Sequence, residues 1–177
     1  MIESCYWKEE LARIARGLRR RPQPPRWSER AHGVLERDLM LGFFMLRRLI
    51  ELQRVSHVTR DDMLSVYAYK RIGRNVTRLN RQDIWKLYDI EKETSERKKL
   101  SYIANQFIHA YTSLIARDDS RNWSDVFIVS DFVRDDCIWR VPISEIRRVF
   151  RIASDDYPHT IKMVFNEKYR DYDIDTN

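Results

Sequence analysis

Glycine and cysteine are scarce in this 177-residue chain, with four glycines, two cysteines and only five prolines. So few glycines leave no Gly-rich loop to cradle a phosphate, and no Walker, GxGxxG or GxSxG motif occurs. They also argue against a turn-rich all-β fold and against long flexible linkers. Cys5 and Cys137 stand far apart and belong to no CxxC or Cys/His cluster, which excludes the usual zinc-ligand spacings. HExxH is absent too, so neither a metal nor a cofactor is expected. The longest apolar run, Leu39 to Leu46, is closed by Arg47 and Arg48 and is far too short to span a bilayer. Met1-Ile2-Glu3-Ser4 lacks a basic stretch followed by an apolar one, so no secretory signal is expected there. With so little cysteine, the expected setting is reducing and cytoplasmic.

The composition is globular, at 43% hydrophobic and 34% charged, and the chain is long enough to bury a core without disulfides. Basic residues outnumber acidic ones, 33 to 27, for a net charge of +6 whose placement matters more than its size. Arg16, Arg19, Arg20, Arg21, Arg26 and Arg30 crowd around Pro22-Gln23-Pro24-Pro25, whereas Asp171, Asp173 and Asp175 make the tail acidic. Clustered guanidinium groups bind phosphate through charge and bidentate hydrogen bonds, which makes nucleic acid, RNA or DNA, a candidate partner. The alternatives for such a patch are a solvated helix end or a contact with an acidic protein.

Periodicity predicts a first helix from Lys8 to about Arg20, stopped by the prolines. Ser28 is placed as the N-cap of a long helix running to about Val55, its stripe formed by Leu35, Leu39, Gly42, Leu46 and Leu49. Residues 63–78 read as a hairpin, in which Ser65 to Tyr69 alternates, Gly73 offers a turn and Asn75-Val76-Thr77 returns; the competing reading is a helix capped by Asp61 or Asp62. Asn80 is placed as the cap of a short helix holding Ile84, Trp85, Leu87 and Tyr88, and Glu91 to Lys99 reads as a charged connector. Past Asp118 the pattern turns to strands at Val126–Val129 and Cys137–Val141, with Arg134-Asp135-Asp136 as their turn. A helix capped by Ser144 follows, and then a half-buried strand from Thr160 to Phe165. The expected class is α+β. A mainly helical bundle with a long central helix occupies residues 1–118, and a β-β-α-β segment with an acidic tail, residues 119–177, packs on it as one compact unit.

The segment Leu100 to Ile115 carries the most suggestive chemistry. Leu100, Ile103, Phe107, Tyr111 and Leu114 lie along one stripe of a helix, while Tyr102, Asn105, His109 and Thr112 follow a parallel polar one. An imidazole at such a place can exchange a proton with an oxygen, and an amide one turn away can orient it. Three acidic doublets, Asp118-Asp119, Asp135-Asp136 and Asp155-Asp156, are the other candidates for chemistry, as magnesium ligands or as turn and cap residues.

Ala104-Asn105-Gln106-Phe107-Ile108-His109 resembles the signature of the HEPN superfamily, in which Arg, usually followed by Asn, Asp or His, precedes a His on a helix of an α-helical bundle. The resemblance covers about six residues. It implies a dimer in which Arg and His from two subunits meet to cut RNA without metal, as toxins and phage-defence effectors of that family do. The family Arg, however, falls at Ala104, and Arg97 lies about three turns upstream. The resemblance therefore implies a non-catalytic member of a bacterial defence or toxin–antitoxin-type system that binds a protein partner, a second copy or RNA through its arginine cluster, Tyr102 and Thr112. The alternatives are a metal-independent ribonuclease using His109 with Asn105 orienting it, and a structural subunit of a larger assembly.

Overall fold

The computed structural model describes residues 4–177. The proline-rich break separates two helices, as its chemistry requires. Helix α1 (Ser4–Gly17) ends before it, and α2 (Glu29–Glu51) begins after Ser28, whose hydroxyl accepts the Ala31 N–H at 3.1 Å. The short helix α3 (His57–Arg60) leads into strand β1 (Met63–Arg71). A connection holding the short helix α4 (Ile84–Leu87) then reaches strand β2 (Tyr88–Lys99) and helix α5 (Leu100–Ile108). Strands β3 (Ala110–Arg117), β4 (Trp123–Ser130) and β5 (Cys137–Pro142) follow, then helix α6 (Ile143–Asp155) and a terminal hairpin of β6 (Ile161–Asn166) and β7 (Asp171–Thr176).

Helices and strands are both major constituents, so the fold is α+β. The five strands form one antiparallel sheet in the order β2-β1-β5-β4-β3. Alternation sends Leu64, Val66, Val126, Ile128, Trp139 and Val141 to one face, where α1, α2, α5 and α6 cover them. Phe43 of α2 is fully buried there, stacked on Phe107 at 4.0 Å and edge-on to Phe150 at 4.9 Å. α2 and α6 approach so closely at Gly42 that a Cβ would stand 2.5 Å from the Phe150 ring. The opposite face is smaller: Tyr69, Phe127, Val129 and Ile138 pack with Val76, Ile84 and Leu87 from the β1–β2 connection and Tyr88 at the start of β2.

Several expectations are corrected. The helical bundle over residues 1–118 is interrupted, because that region supplies β1, β2 and β3 to the sheet. Residues 63–71 do form a strand, but its partner is 88–99 rather than 75–77, so the charged connector is an edge strand instead. Charged side chains suit such an edge, since they oppose pairing with another chain. The helix expected to reach Ile115 ends at Ile108, and β3 follows it after His109. Asn80 does not cap α4; its carboxamide oxygen accepts the Thr77 N–H at 2.7 Å. Residues 161–165 pair with the acidic tail and are exposed, not half-buried. Position 118 falls in the turn between β3 and β4, and strands from both sides of it adjoin in the sheet. No helix among the described residues is long and apolar enough to cross a membrane.

Candidate functional site: an arginine-lined band

The loop after α1 is held against the β3–β4 turn. Asn122 clamps Arg21 from both sides: its carboxamide oxygen accepts the Arg21 N–H at 2.8 Å, and its amide donates to the Arg21 carbonyl at 3.2 Å. Asn122 is buried, and its own N–H donates to the Asp118 carboxylate at 3.0 Å. Arg20 pairs with the same carboxylate at 2.8 Å. Arg117 lies over the Trp123 ring at 4.0 Å and donates to the Pro25 carbonyl at 3.2 Å. The proline-rich loop is thus fixed at three points by one turn that is remote in sequence.

This anchoring shapes a cleft of about 280 Å³ whose charged wall holds Arg13, Arg19, Arg21, Arg117 and Arg121 and whose apolar floor includes Val34, Leu35 and Trp123. Arg19 also lines an adjoining groove between α1 and α6, together with Arg16, Arg147 and Arg151. Arg147 and Arg151 in turn line a third depression with Arg148. Shared residues therefore join the three hollows into one basic band.

The arginines of the molecule are spent in two ways, and the band holds both kinds. Arg13 and Arg37 neutralise buried Asp38, Arg140 is held by Glu93 and Asp125, and Arg148 by Asp62 and Glu145. Burial works against the Glu93 carboxylate, but hydrogen bonds from Tyr69 and Arg140 outweigh it and hold its pKa below the usual value. Arg16, Arg19, Arg21, Arg117, Arg121 and Arg147 have no carboxylate within ion-pair distance among the described residues. Asp38, Asp155 and Asp156 also line the hollows, where the arginines outnumber them.

The band's geometry depends on α6 staying beside α1. Lys8 of α1 is buried, donates to the Asp156 carbonyl, and lies over the Tyr157 ring at 3.8 Å. Desolvation lowers its pKa, although the negative charge of Asp156 resists the shift. The Asp156 carboxylate accepts from Ser56 N–H at 2.7 Å, Ser56 Oγ at 2.9 Å and Thr59 Oγ1 at 2.5 Å. The loop that ends α6 is thus tied to α1 through Lys8 and to the start of α3 through Ser56 and Thr59.

The other predicted residues are dispersed. Asn105 is exposed on α5, and its carboxamide oxygen accepts from Arg47 at 2.7 Å. His109 follows the last turn of α5, exposed, its ring edge-on to Phe132 at 5.8 Å. Tyr102 packs edge-on against Trp139 at 5.8 Å with the Lys98 ammonium 5.4 Å from its ring. Thr112 is buried in β3 and donates to the Arg81 carbonyl at 3.1 Å, so it shares no helical stripe with the other three. Arg26 and Arg30 are exposed but do not line the hollows. Among the acidic doublets, Asp118 and Asp156 act as described, and Asp135 accepts the Val76 N–H at 3.2 Å. No three His, Cys, Asp or Glu side chains gather as a metal site among the described residues.

No family model, no curated protein and no solved structure matches this chain. The site must therefore be read from its own chemistry.

Sequence reasoning pointed to Arg16, Arg19, Arg20 and Arg21 and not to Arg117, Arg121, Asn122, Arg147 or Arg151. A local signal existed only for α6, where Arg147 and Arg151 stand four apart and so share a helical face.

Proposed function

We propose that this chain is a binding protein whose arginine band holds the phosphodiester backbone of RNA without cutting it. The observation that carries the reading is the convergence of arginines from the α1–α2 loop, the β3–β4 turn and α6 on one run of hollows. Guanidinium groups spaced along a groove suit a polyanion, and exposed Trp27 beside the proline-rich loop offers a stacking surface for an unpaired base. The reading against cleavage rests on Asn105, whose carboxamide oxygen is taken up by Arg47, and on His109, whose packing neighbour is Phe132. Catalysis through that pair would need the two side chains and a cation to meet around one phosphate. A regulatory role with a protein partner, in a bacterial defence or toxin–antitoxin-type system, extends the proposal on the strength of the HEPN resemblance.

The test is binding of a short fluorescent single-stranded RNA, followed by anisotropy over a range of salt concentrations. Engagement of about five of these arginines gives a slope of log affinity against log salt of roughly −3.5 for a single strand. The RNA stays intact on prolonged incubation. A flat salt response would refute the binding reading, and cleavage abolished by His109→Ala would install the ribonuclease reading in its place.

A further inference from the structure

The C-terminal hairpin is the least supported part of the molecule. Strands β6 and β7 form a sheet of their own, and a two-stranded hairpin alone is marginal in water. Its base is tied to the body, where the buried Thr176 hydroxyl donates to the Val55 carbonyl at 2.7 Å. The His57 ring also meets the Thr176 carbonyl at 3.3 Å and Arg60 stands 3.9 Å from the Asp175 carboxylate, and beyond this base the hairpin's large apolar side chains are exposed. Ile161 is 54% exposed, Met163 58%, Phe165 52% and Tyr172 55%.

The register sorts these side chains. Ile161 opposes Thr176, Met163 opposes Ile174 and Phe165 opposes Tyr172, so one face of the hairpin is apolar and free of charge. The other face pairs Lys162 with Asp175, Val164 with Asp173 and Asn166 with Asp171, and Asn166 donates to the Asp173 carboxylate at 2.7 Å. At the tip the Phe165 and Tyr172 rings already meet edge-to-face at 5.2 Å. One face is built for water and the other is not.

We propose that the apolar face packs against the same face of a second copy of this chain, making a two-fold symmetric sandwich of hairpins. Self-association fits because that face carries no charge and two copies of it stack without repulsion, whereas the face bearing Asp171, Asp173 and Asp175 opposes its own copy. The area also fits. Four side chains, each with on the order of 200 Å² in total and half of that exposed, leave roughly 400 Å² per copy. Two copies together with the flanking backbone then approach the ~1,000 Å² that a specific interface requires.

The experiment is light scattering on the full chain after size exclusion, at micromolar concentration, free of RNA and at low and high salt. The expected mass is that of two copies in both salts, because an apolar interface is not screened. Met163→Lys halves the mass while Val164→Lys, on the outer face, leaves it unchanged, and the thermal melt of the body is the same in both variants. A monomeric parent chain overturns the proposal, as does a Met163→Lys protein that stays dimeric. A dimer that falls apart in high salt also overturns it, since that would mean the Asp-bearing face docks on an arginine band.

Discussion

The arginine band and the end of α5 are the two places where this chain gathers polar chemistry, and they treat their side chains in opposite ways. At the end of α5, Asn105 is taken up by Arg47, Tyr102 by Trp139 and Thr112 by the Arg81 carbonyl. Asn105 and Thr112 have internal hydrogen-bond partners and the Tyr102 ring is packed, which stabilises the fold and leaves these groups little for a ligand. On the band, Arg16, Arg19, Arg21, Arg117, Arg121 and Arg147 lack carboxylate partners among the described residues, while residues such as Asn122 spend their hydrogen bonds on positioning the backbone that carries them. The contrast teaches that convergence of residue types is a weak sign of a site, whereas unspent charge held by a rigid frame is a strong one.

That comparison breaks most directly on a double reversal, Arg19→Glu with Arg147→Glu, which sits on both walls of the groove between α1 and α6. RNA affinity measured by anisotropy should fall by about a hundredfold or more, since two attractions become two repulsions. Undiminished binding would move the site elsewhere. A milder change, Arg117→Ala, removes one charge and its contact with Trp123; affinity should drop about tenfold and the salt slope should shrink by roughly 0.7. An unchanged slope would mean that Arg117 serves only to hold Pro25. The smallest effect belongs to the other region: Asn105→Ala and His109→Ala should each leave RNA affinity within about twofold and stability within roughly 0.5 kcal/mol, as expected for exposed positions. A large loss of binding in either would put α5 back at the centre.

Much of the fold was legible because it is local. The prolines at 22, 24 and 25 stop one helix, Ser28 starts the next, and the spacing of Leu35, Leu39, Leu46 and Leu49 marks the buried stripe. The run Val126 to Val129 reads as a strand covered on both faces, and all four residues are buried. The segment after Leu100 was the ambiguous one. Its apolar residues fit helical spacing through Leu114, yet Thr112 and Ile115 are β-branched, and pairing of Ser113 with Ile128 and Ile115 with Val126 prevails over helical periodicity. The misread hairpin has the same origin, for β1 finds its partner across a connection of some sixteen residues rather than across Gly73.

By itself, then, the sequence determined the first two amphipathic helices with the proline break between them, the α+β class and the presence of an arginine cluster, because each rests on neighbours within a turn or two. Only the tertiary structure decided where α5 ends, which strand β1 pairs with, and that Arg117, Arg121, Arg147 and Arg151 join Arg16, Arg19 and Arg21. Those outcomes depend on contacts between segments well beyond a helical turn, from the pairing of Ile115 with Val126 to the Asn122 clamp on Arg21, and no local pattern encodes contacts of that range.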